Sequence, residues 1–144
     1  MEKIGGMMKI QDCIFFQLSR ASRSGVRYWT QTVARFGVTS SQALVLLFLL
    51  EEDRVTSKEL GEKIEFDSAT LTGILDRLVR AGLVERRDNP NDRRAILVCL
   101  TRNGVETAKG IYGIIEEENR AFLSNLTYEE GLILKSLLKK LSPT

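Results

Sequence analysis

The chain has 144 residues, of which 43% are hydrophobic and 28% are charged, and its formal net charge is only +2. A chain of this length and apolar content is expected to form a single globular domain, residues 1–144, with a substantial core. Because positive and negative charges nearly cancel, affinity for a polyanion such as nucleic acid would have to come from basic residues clustered in one place.

The sequence contains no histidine and has two cysteines, Cys13 and Cys99, far apart along the chain. A zinc site would need to be built largely from carboxylates, and the commonest general base is missing, so we expect no metal, no cofactor and no enzymatic activity. Residues 1–8 lack the apolar core of a secretory signal, and the longest apolar run, residues 43–50, is too short to span a bilayer. These features predict a cytoplasmic protein with reduced thiols and no membrane partner.

The first part of the chain predicts two helices. Apolar residues recur at steps of three or four over residues 10–36, which indicates a long helix that Gly37 closes as a C-terminal cap. Thr39 and Gln42 then have the spacing of a capping box. The helix that follows them is apolar on every side, so we expect it at the centre of the fold.

Two shorter helices follow, separated by only a few residues. Thr56 and Glu59 repeat the capping-box spacing and begin the first of them. Asp67 is a suitable N-cap for the second, which runs to about Ala81 and is closed by Gly82. Two short helices with such a brief connection are typical of a helix-turn-helix motif.

Two candidate strands, residues 83–87 and 95–100, flank the turn sequence "DNPNDRR" and predict a β-hairpin. The second strand has little polarity on either face, so it should be the better covered of the two. Thr101 can cap another long helix, whose apolar periodicity continues to Leu126, and Thr127 begins a final helix with a third capping box. The expected fold is mainly α with a small β-hairpin.

The second helix of the helix-turn-helix has two distinct sides when its residues are placed about 100° apart. The side expected to face the core carries apolar residues, namely Leu71, Ile74, Leu75, Leu78 and Val79. The opposite side and its flanks carry small, polar and charged residues, namely Ala69, Thr70, Thr72, Gly73, Asp76, Arg77 and Arg80. Gly73 lies in mid-helix, where it costs about 1 kcal/mol relative to alanine, and outward-facing glycine gains nothing from packing within its own domain.

Two interpretations of this outward surface are open. Gly73 is either a tolerated glycine on an ordinary exposed helix, or it clears space, with Ala69 one turn away, for a grooved partner. In the second case Thr70, Thr72 and Arg77 can hydrogen-bond to base edges or phosphates. The amide groups at the helix N-terminus can also bind a backbone phosphate.

The predicted hairpin carries four arginines around its turn, namely Arg86, Arg87, Arg93 and Arg94. Glu85, Asp88 and Asp92 largely offset their charge, so the pattern indicates positioned guanidinium groups, with an aspartate able to orient one of them by bidentate pairing. Arginine suits a narrow minor groove, where negative potential is concentrated. The alternative is a salt-bridged hairpin in solvent.

A recognition-type helix followed at once by an arginine-tipped hairpin favours DNA binding. The competing interpretation is a winged-helix module that binds only protein. It is less favoured because a protein-binding wing has little need of unneutralised guanidinium groups at its tip.

The segment "GLVERRDNPNDRRAILVCLTRNG", residues 82–104, resembles the wing signature of the MarR family of winged helix-turn-helix regulators. The shared features are a Gly-Leu-Val entry, an Asp-x-Arg tip at Asp92 and Arg94, and a Leu-Thr-x-x-Gly exit ending at Gly104. The segment "FDSATLTGILDRL" similarly resembles the recognition helix of that family, and the resemblance extends over nearly the whole chain.

This resemblance implies a homodimeric transcriptional regulator, in many cases a repressor, that binds a near-palindromic operator in double-stranded DNA. Its winged helix-turn-helix lobe, about residues 39–100, would be flanked by dimerisation helices at about residues 10–36 and 101–141. Each recognition helix would enter a major groove, and the wing arginine Arg94 the adjacent minor groove. The residues expected to face DNA are Ser68, Thr70, Thr72, Gly73, Arg77, Arg86, Asp92, Arg93 and Arg94. Ser68 departs from the helical-face argument, because rotation puts it nearer the core side and only its place in the first turn lets it reach a phosphate.

Many members of the family are repressors released by small aromatic or lipophilic acids, which bind between the dimerisation helices and the DNA-binding lobe. By this resemblance the candidate effector-binding residues are Phe16, Arg20, Tyr28 and Trp29. Alternatively, these aromatic side chains fill the core of the dimer.

A redox-sensing branch of the family uses a cysteine in its first helix. Cys13 lies in the first predicted helix, but alignment on "SRASR" puts Phe15 at the sensing position and Cys13 two residues earlier, about 200° around the helix. A thiol-based peroxide response is therefore the lesser alternative. Cys99, in the second strand of the hairpin, is expected to be a small buried apolar residue.

Overall fold

The computed structural model describes residues 6–142 and has six α-helices and a three-stranded antiparallel sheet in that part of the chain. A 3-10 turn, Ile10–Asp12, precedes the first helix. The elements in chain order are α1 (Ile14–Ala34), α2 (Ser40–Glu51), β1 (Val55–Thr56), α3 (Ser57–Ile64), α4 (Ser68–Arg80), β2 (Val84–Asp88), β3 (Ile96–Leu100), α5 (Arg102–Phe122) and α6 (Tyr128–Leu141). Within residues 6–142, no helix has both the length and the apolar character needed to cross a bilayer.

Side-chain caps begin five of the helices where the sequence predicts them. The capping boxes at Thr39, Thr56 and Thr127 are all formed, with both reciprocal hydrogen bonds present. Asp67 and Thr101 cap α4 and α5 by accepting a hydrogen bond from a first-turn amide. Such a bond satisfies a backbone donor that the helix itself leaves free, so these residues determine where each helix starts.

Two helix boundaries differ from the prediction. The expected helix over residues 10–36 is interrupted at Cys13, which is extended (φ −67°, ψ 127°) and lies just before α1 as its N-cap residue. A 3-10 turn repeats every three residues, so apolar spacing alone does not reveal the break. Similarly, α5 ends at Phe122, and Leu126 lies in the connection to α6. The capping box at Thr127 requires an extended residue there, so the chain must leave the helix earlier.

The sheet has the order β1-β3-β2, which places β3 in the centre. The prediction that the second hairpin strand is the better covered one is confirmed, because Val98, Cys99 and Leu100 are all buried. The two-residue strand β1 was not predicted. It pairs with β3 beside the predicted hairpin, with Val55 opposite Val98. A strand this short has no alternating pattern that a sequence could display.

Helix α2 lies at the centre of the fold, as its uniformly apolar sequence predicts. It contacts α1, α3, α4, α5 and β3. The side chains of Ala43, Val45, Leu46 and Leu49 are completely buried. Helices α1 and α5 and the helix-turn-helix are therefore held by one shared core.

The base of the β2–β3 hairpin is fastened where the chain leaves α4 and enters α5. The Thr101 amide donates to the Leu83 carbonyl oxygen (3.1 Å), and the Thr101 hydroxyl donates to the Gly82 carbonyl oxygen (2.6 Å). The backbone of Gly104 packs so closely here that a Cβ atom at that position would lie 1.9 Å from the Leu83 carbonyl oxygen. The final glycine of the Leu-Thr-x-x-Gly exit is thus required by a close approach of two backbones.

Candidate nucleic-acid interface

Helix α4 buries the side that the sequence predicts. Leu71, Ile74, Leu75 and Leu78 are at most 7% exposed, and Val79 packs against the edge of the same core. Because these residues determine the rotation of the helix about its axis, the side carrying Ala69 and Gly73 must point away from the body of the protein.

The outward side of α4 is open at its centre. A Cβ atom built on Gly73 would have no other heavy atom within 4 Å, and Ala69, one turn earlier, is exposed. Gly73 is therefore not explained by any contact within the described part of the chain. With Ala69 it forms a low strip, on which a partner can approach the helix backbone closely.

The hydroxyl groups beside this strip have their protons engaged within the helix. Thr70 donates from its hydroxyl to Asp67 Oδ2 (2.7 Å), and Thr72 donates from its hydroxyl to the Ser68 carbonyl oxygen (2.8 Å). Each hydroxyl oxygen keeps lone pairs that can accept further hydrogen bonds. In this arrangement the two threonines are suited to accept hydrogen bonds from a partner rather than to donate them.

The N-terminus of α4 is already occupied by a carboxylate. The Thr70 amide donates to Asp67 Oδ1 (2.8 Å), and this hydrogen bond is the main reason that the pKa of Asp67 lies below its usual value. The Thr70 amide is therefore engaged by the capping Asp67, so phosphate binding at this helix N-terminus would depend on the other first-turn amides. Ser68, the first residue of α4, is exposed and keeps its hydroxyl on this surface.

A groove of about 460 Å³ separates α3 from α4 on the same side of the molecule. Its lining residues come from both helices and the turn between them, namely Ser57, Lys58, Gly61, Glu62, Phe66, Ser68, Leu71 and Thr72. Ser57 and Lys58 are not among the residues that the sequence predicts to face DNA. The available signal was their place in the first turn of α3, directly after the capping Thr56.

The four hairpin arginines divide into two pairs with different environments. Arg86 donates from Nη2 to Asp76 Oδ1 on α4 (2.7 Å), and Arg87 is paired with Glu85 on its own strand. Arg93 and Arg94 are exposed, and neither makes an ion pair with any residue between 6 and 142.

Asp92 shapes the turn at the tip of the β2–β3 hairpin, which is the wing of this fold. Its Oδ1 accepts a hydrogen bond from the Arg94 amide (2.9 Å), while Asn89 Oδ1 accepts one from the Asn91 amide (3.0 Å). The expectation that a tip aspartate orients a guanidinium group by bidentate pairing is therefore wrong for Asp92, whose carboxylate bonds to backbone instead. Short side chains that bond to the backbone two residues ahead stabilise tight turns, and the turn leaves Arg93 and Arg94 directed into solvent.

The four candidate effector residues, all on α1, make separate contacts. Arg20 lies over the ring of Phe16, with its guanidinium carbon 5.8 Å from the ring centre. Trp29 donates from its indole nitrogen to the Ser40 carbonyl oxygen at the start of α2 (3.3 Å). Tyr28 faces α5, and none of the four lines the α3–α4 groove or the cavity between α5 and α6.

Tyr28 takes part in a polar contact between α1 and α5. Its hydroxyl donates to Glu118 Oε2 (2.7 Å), and Arg35 donates to Glu118 Oε1 (2.8 Å). The hydrogen bond with Glu118 raises the pKa of Tyr28, and the same bond, aided by Arg35, lowers the pKa of Glu118. Both groups therefore remain in their ordinary charge states near neutral pH and join the two helices.

The two cysteines are free and have different environments. Cys99 is 2% exposed, and burial is the main reason that the pKa of its thiol is raised, which agrees with a buried apolar role. Cys13 is half-buried and has an extended backbone conformation directly before α1. The sequence-based statement that it lies within the helix is wrong.

Helix α6 exposes a row of leucines. Gly131 is its only buried residue in the part of the chain described, whereas Leu134, Leu137, Leu138 and Leu141 are 36–61% exposed. Apolar residues near the N-terminus are also exposed, namely Met7, Met8, Ile10, Ile14, Phe15 and Leu18. Large exposed apolar patches often mark interaction sites, so the leucine row of α6 is a candidate contact surface.

Comparison with known proteins agrees with this geometry. The model of a family described as MarR matches residues 36–95. The multiple antibiotic resistance protein MarR of Escherichia coli is 34% identical over 118 residues, covering 81% of this chain and 82% of that protein. The chain belongs to the MarR family.

A second MarR-family relative covers nearly the whole chain. The organic hydroperoxide resistance transcriptional regulator of Bacillus subtilis is 34% identical over 140 residues, which cover 95% of this chain and 92% of that protein.

Solved structures confirm the winged helix-turn-helix fold. A mutant of Escherichia coli MarR complexed with operator DNA matches with a TM-score of 0.83 and 31% identity, covering 88% of this chain and 91% of that one. Bordetella bronchiseptica BpsR, whose DNA binding is regulated by 6-hydroxynicotinic acid, matches with a TM-score of 0.89 and 25% identity, covering 96% and 99% of the two chains. The Bacillus subtilis relative is a transcriptional regulator, as its name states.

Proposed function

We propose that this MarR-family regulator is a dimeric repressor that binds a near-palindromic operator in double-stranded DNA. The observation that carries the proposal is the open Gly73 strip of α4 lying beside a wing whose Arg93 and Arg94 are exposed and make no ion pair within residues 6–142. An α-helix fits the major groove, and a projecting arginine fits the narrow minor groove beside it. The complex of the related Escherichia coli protein with operator DNA supports this assignment.

The outward residues of α4 are assigned complementary tasks in the major groove. Gly73 and Ala69 allow the helix backbone to approach the base edges. Thr70 and Thr72, whose hydroxyl protons are engaged, accept hydrogen bonds from the amino groups of adenine or cytosine. Arg77, which is exposed in the last turn, donates to guanine or to a phosphate.

Contacts to the DNA backbone are assigned to the edges of this surface. Ser68, together with Ser57 and Lys58 across the α3–α4 groove, donates hydrogen bonds to phosphates, which offer only acceptors. Arg93 and Arg94 enter the minor groove, and Asp92 acts through the turn that presents them. Arg86, the remaining predicted contact, is already paired with Asp76 on α4.

Replacing Gly73 with alanine tests whether the open strip serves DNA. Because a Cβ atom at this position meets nothing within the protein, Gly73→Ala should raise the free energy of unfolding by about 1 kcal/mol. The same methyl group should lower operator affinity by about tenfold or more, equivalent to about 1.4 kcal/mol. Chemical denaturation and fluorescence anisotropy with operator DNA measure the two effects.

Gly113→Ala is the matched control, because this α5 glycine also has nothing within 4 Å of the added atom. It should gain a similar stability without losing affinity for DNA. If Gly73→Ala were stabilised and bound the operator as tightly as the wild type, the open space at Gly73 would have no role in binding.

The wing is tested by the salt dependence of binding. Arg94→Ala should weaken operator binding and reduce the slope of log K against log salt by about 1 per protomer, because fewer counterions are released. Arg102→Ala, which removes an equally charged but 94% exposed side chain beyond the other end of β3, should leave the slope unchanged. Identical salt titrations for Arg94→Ala and the wild type would exclude the wing contact. If the wild type bound no DNA from the region upstream of its own coding sequence, a protein-binding module would be favoured instead.

The dimer is proposed to form through the terminal helices. Support comes from the leucine row on α6 and the exposed apolar residues near the N-terminus, which the described part of the chain leaves uncovered. A two-fold dimer also places two recognition helices about one helical turn of DNA apart, which a near-palindromic operator requires.

Leu137→Glu should disrupt this association, because it places a charge in the middle of the leucine row. We expect a monomer by light scattering coupled to size-exclusion chromatography, and operator affinity reduced by about tenfold or more, since each lobe then binds alone. Ser136→Glu adds the same charge about 100° around α6 from Leu137, outside the leucine row, and should remain a dimer. Leu137→Glu eluting as a dimer with normal affinity would contradict the assignment.

We further propose that a small lipophilic acid lowers the affinity for DNA. The regulation of the related BpsR by 6-hydroxynicotinic acid supports this, and the Arg20 guanidinium beside the Phe16 ring offers charge and stacking for an aromatic carboxylate. The alternative is a response of Cys13 to hydroperoxides, which the name of the Bacillus subtilis relative favours.

Benzoate and 6-hydroxynicotinic acid should raise the melting temperature of the free protein and release it from operator DNA, and Arg20→Gln should abolish both effects. Cumene hydroperoxide should leave DNA binding intact. Release by the peroxide from the wild type but not from Cys13→Ser would instead assign the response to the thiol, and no shift with either acid would contradict the Arg20 site.

A further inference from the structure

One ion pair joins the helix proposed to read DNA to the hairpin proposed to flank it. Arg86 on β2 donates from Nη2 to Asp76 Oδ1 on α4 at 2.7 Å, with side chains 35% and 46% exposed respectively. We propose that this pair fixes the angle between the wing and α4, and that Asp76 is a positioning residue for operator binding. The inference rests on the proposed function and assigns a residue that the DNA-contact set omits.

The position of Arg86 along the hairpin makes such a restraint useful. The base of the hairpin is fastened at Gly82, Leu83 and Thr101, and Val84 is buried in the core. Beyond Val84, Arg86 is the hairpin side chain that forms an ion pair with another element of the described chain. The tip begins three residues further out, roughly 10 Å away, so a small rotation near the base becomes a larger displacement of Arg93 and Arg94.

The strand register explains why Arg86 reaches α4. Successive side chains of a strand point to opposite faces, so Arg86 lies on the same face as the buried Val84, towards the helix. Arg87 points to the other face, where it pairs with Glu85 of the same strand. The two adjacent pairs have the same chemistry, but only the Asp76–Arg86 pair connects two elements.

The charge of Asp76 makes the proposal testable by the direction in which DNA affinity changes when that charge is removed. Asp76 follows Gly73 by three residues, so its carboxylate lies near the open strip of α4. If Asp76 only contributed negative charge near phosphates, removing that charge should tighten DNA binding. If it holds Arg86 and thereby the wing, removing the charge should weaken binding although the protein becomes more positive.

The experiment is a double-mutant cycle with Asp76→Asn, Arg86→Gln and the double variant, measured by fluorescence anisotropy with operator DNA at several salt concentrations. Each single variant should weaken binding about tenfold, and the double variant should lose little more, as expected for residues acting through one contact. Hydroxyl-radical footprints should lose protection of the flanking minor groove while the major-groove half-sites stay protected. Asp76→Glu should restore binding in part.

Hydrogen exchange of the free protein supplies a readout that does not need DNA. Amides of residues 84–100 should exchange faster in Asp76→Asn than in the wild type, while the exchange of α2 stays unchanged. Glu85→Gln and Arg87→Gln are the matched controls and should change neither the exchange of the tip nor the footprint.

Three results would overturn the inference: Asp76→Asn binding as tightly as the wild type or more tightly, additive losses in the cycle, or equal losses in the Glu85→Gln and Arg87→Gln controls. Additive losses would make Arg86 a direct DNA contact. A wild type that fails to bind operator DNA would instead refute the proposed function, and the hydrogen-exchange comparison would still show whether the pair restrains the wing.

Discussion

The packing of four apolar side chains of α4 against the core determines which side of that helix faces solvent. Leu71, Ile74, Leu75 and Leu78 are removed from water by a core whose centre is α2. Burial of such side chains stabilises the fold by about 1.5–3 kcal/mol each, far more than an exposed hydrogen bond or ion pair contributes. The rotation of α4 therefore follows from the hydrophobic effect alone. The polar residues on the outer side can be selected for another purpose without weakening the fold.

Local patterns of the sequence predict much of this arrangement. The three capping boxes, the caps at Asp67 and Thr101 and the apolar side of α4 each depend on residues within one or two helical turns. Such features are set by hydrogen bonds and side-chain direction that a single sequence displays directly. The sequence also predicts the central position of α2, because a helix with no polar side must be covered by other elements on all sides.

The features that sequence reasoning missed depend on contacts between distant segments. Strand β1 is recognisable only through its pairing with β3. The partner of Arg86 was equally hidden, because Asp76 and Arg86 become neighbours only when the hairpin folds back beside α4. Asp92 illustrates a different error: its charge suggested a guanidinium partner, whereas its short side chain bonds to the backbone two residues ahead. Residue type shows which interactions are possible, and geometry selects among them.

Helix α5 connects the two ends of the molecule mechanically. At its N-terminus Gly104 and the capping Thr101 are packed against the base of the wing, and 14 residues after Gly104 the side chain of Glu118 is bonded to Tyr28 and Arg35 of α1. A helix of 21 residues is a stiff rod about 30 Å long. Any tilt of α1 that carries Glu118 with it must consequently swing the wing through an arc. In the proposed dimer, the separation of the two wings, and with it the length of DNA that both could span, would then depend on the tilt of α1.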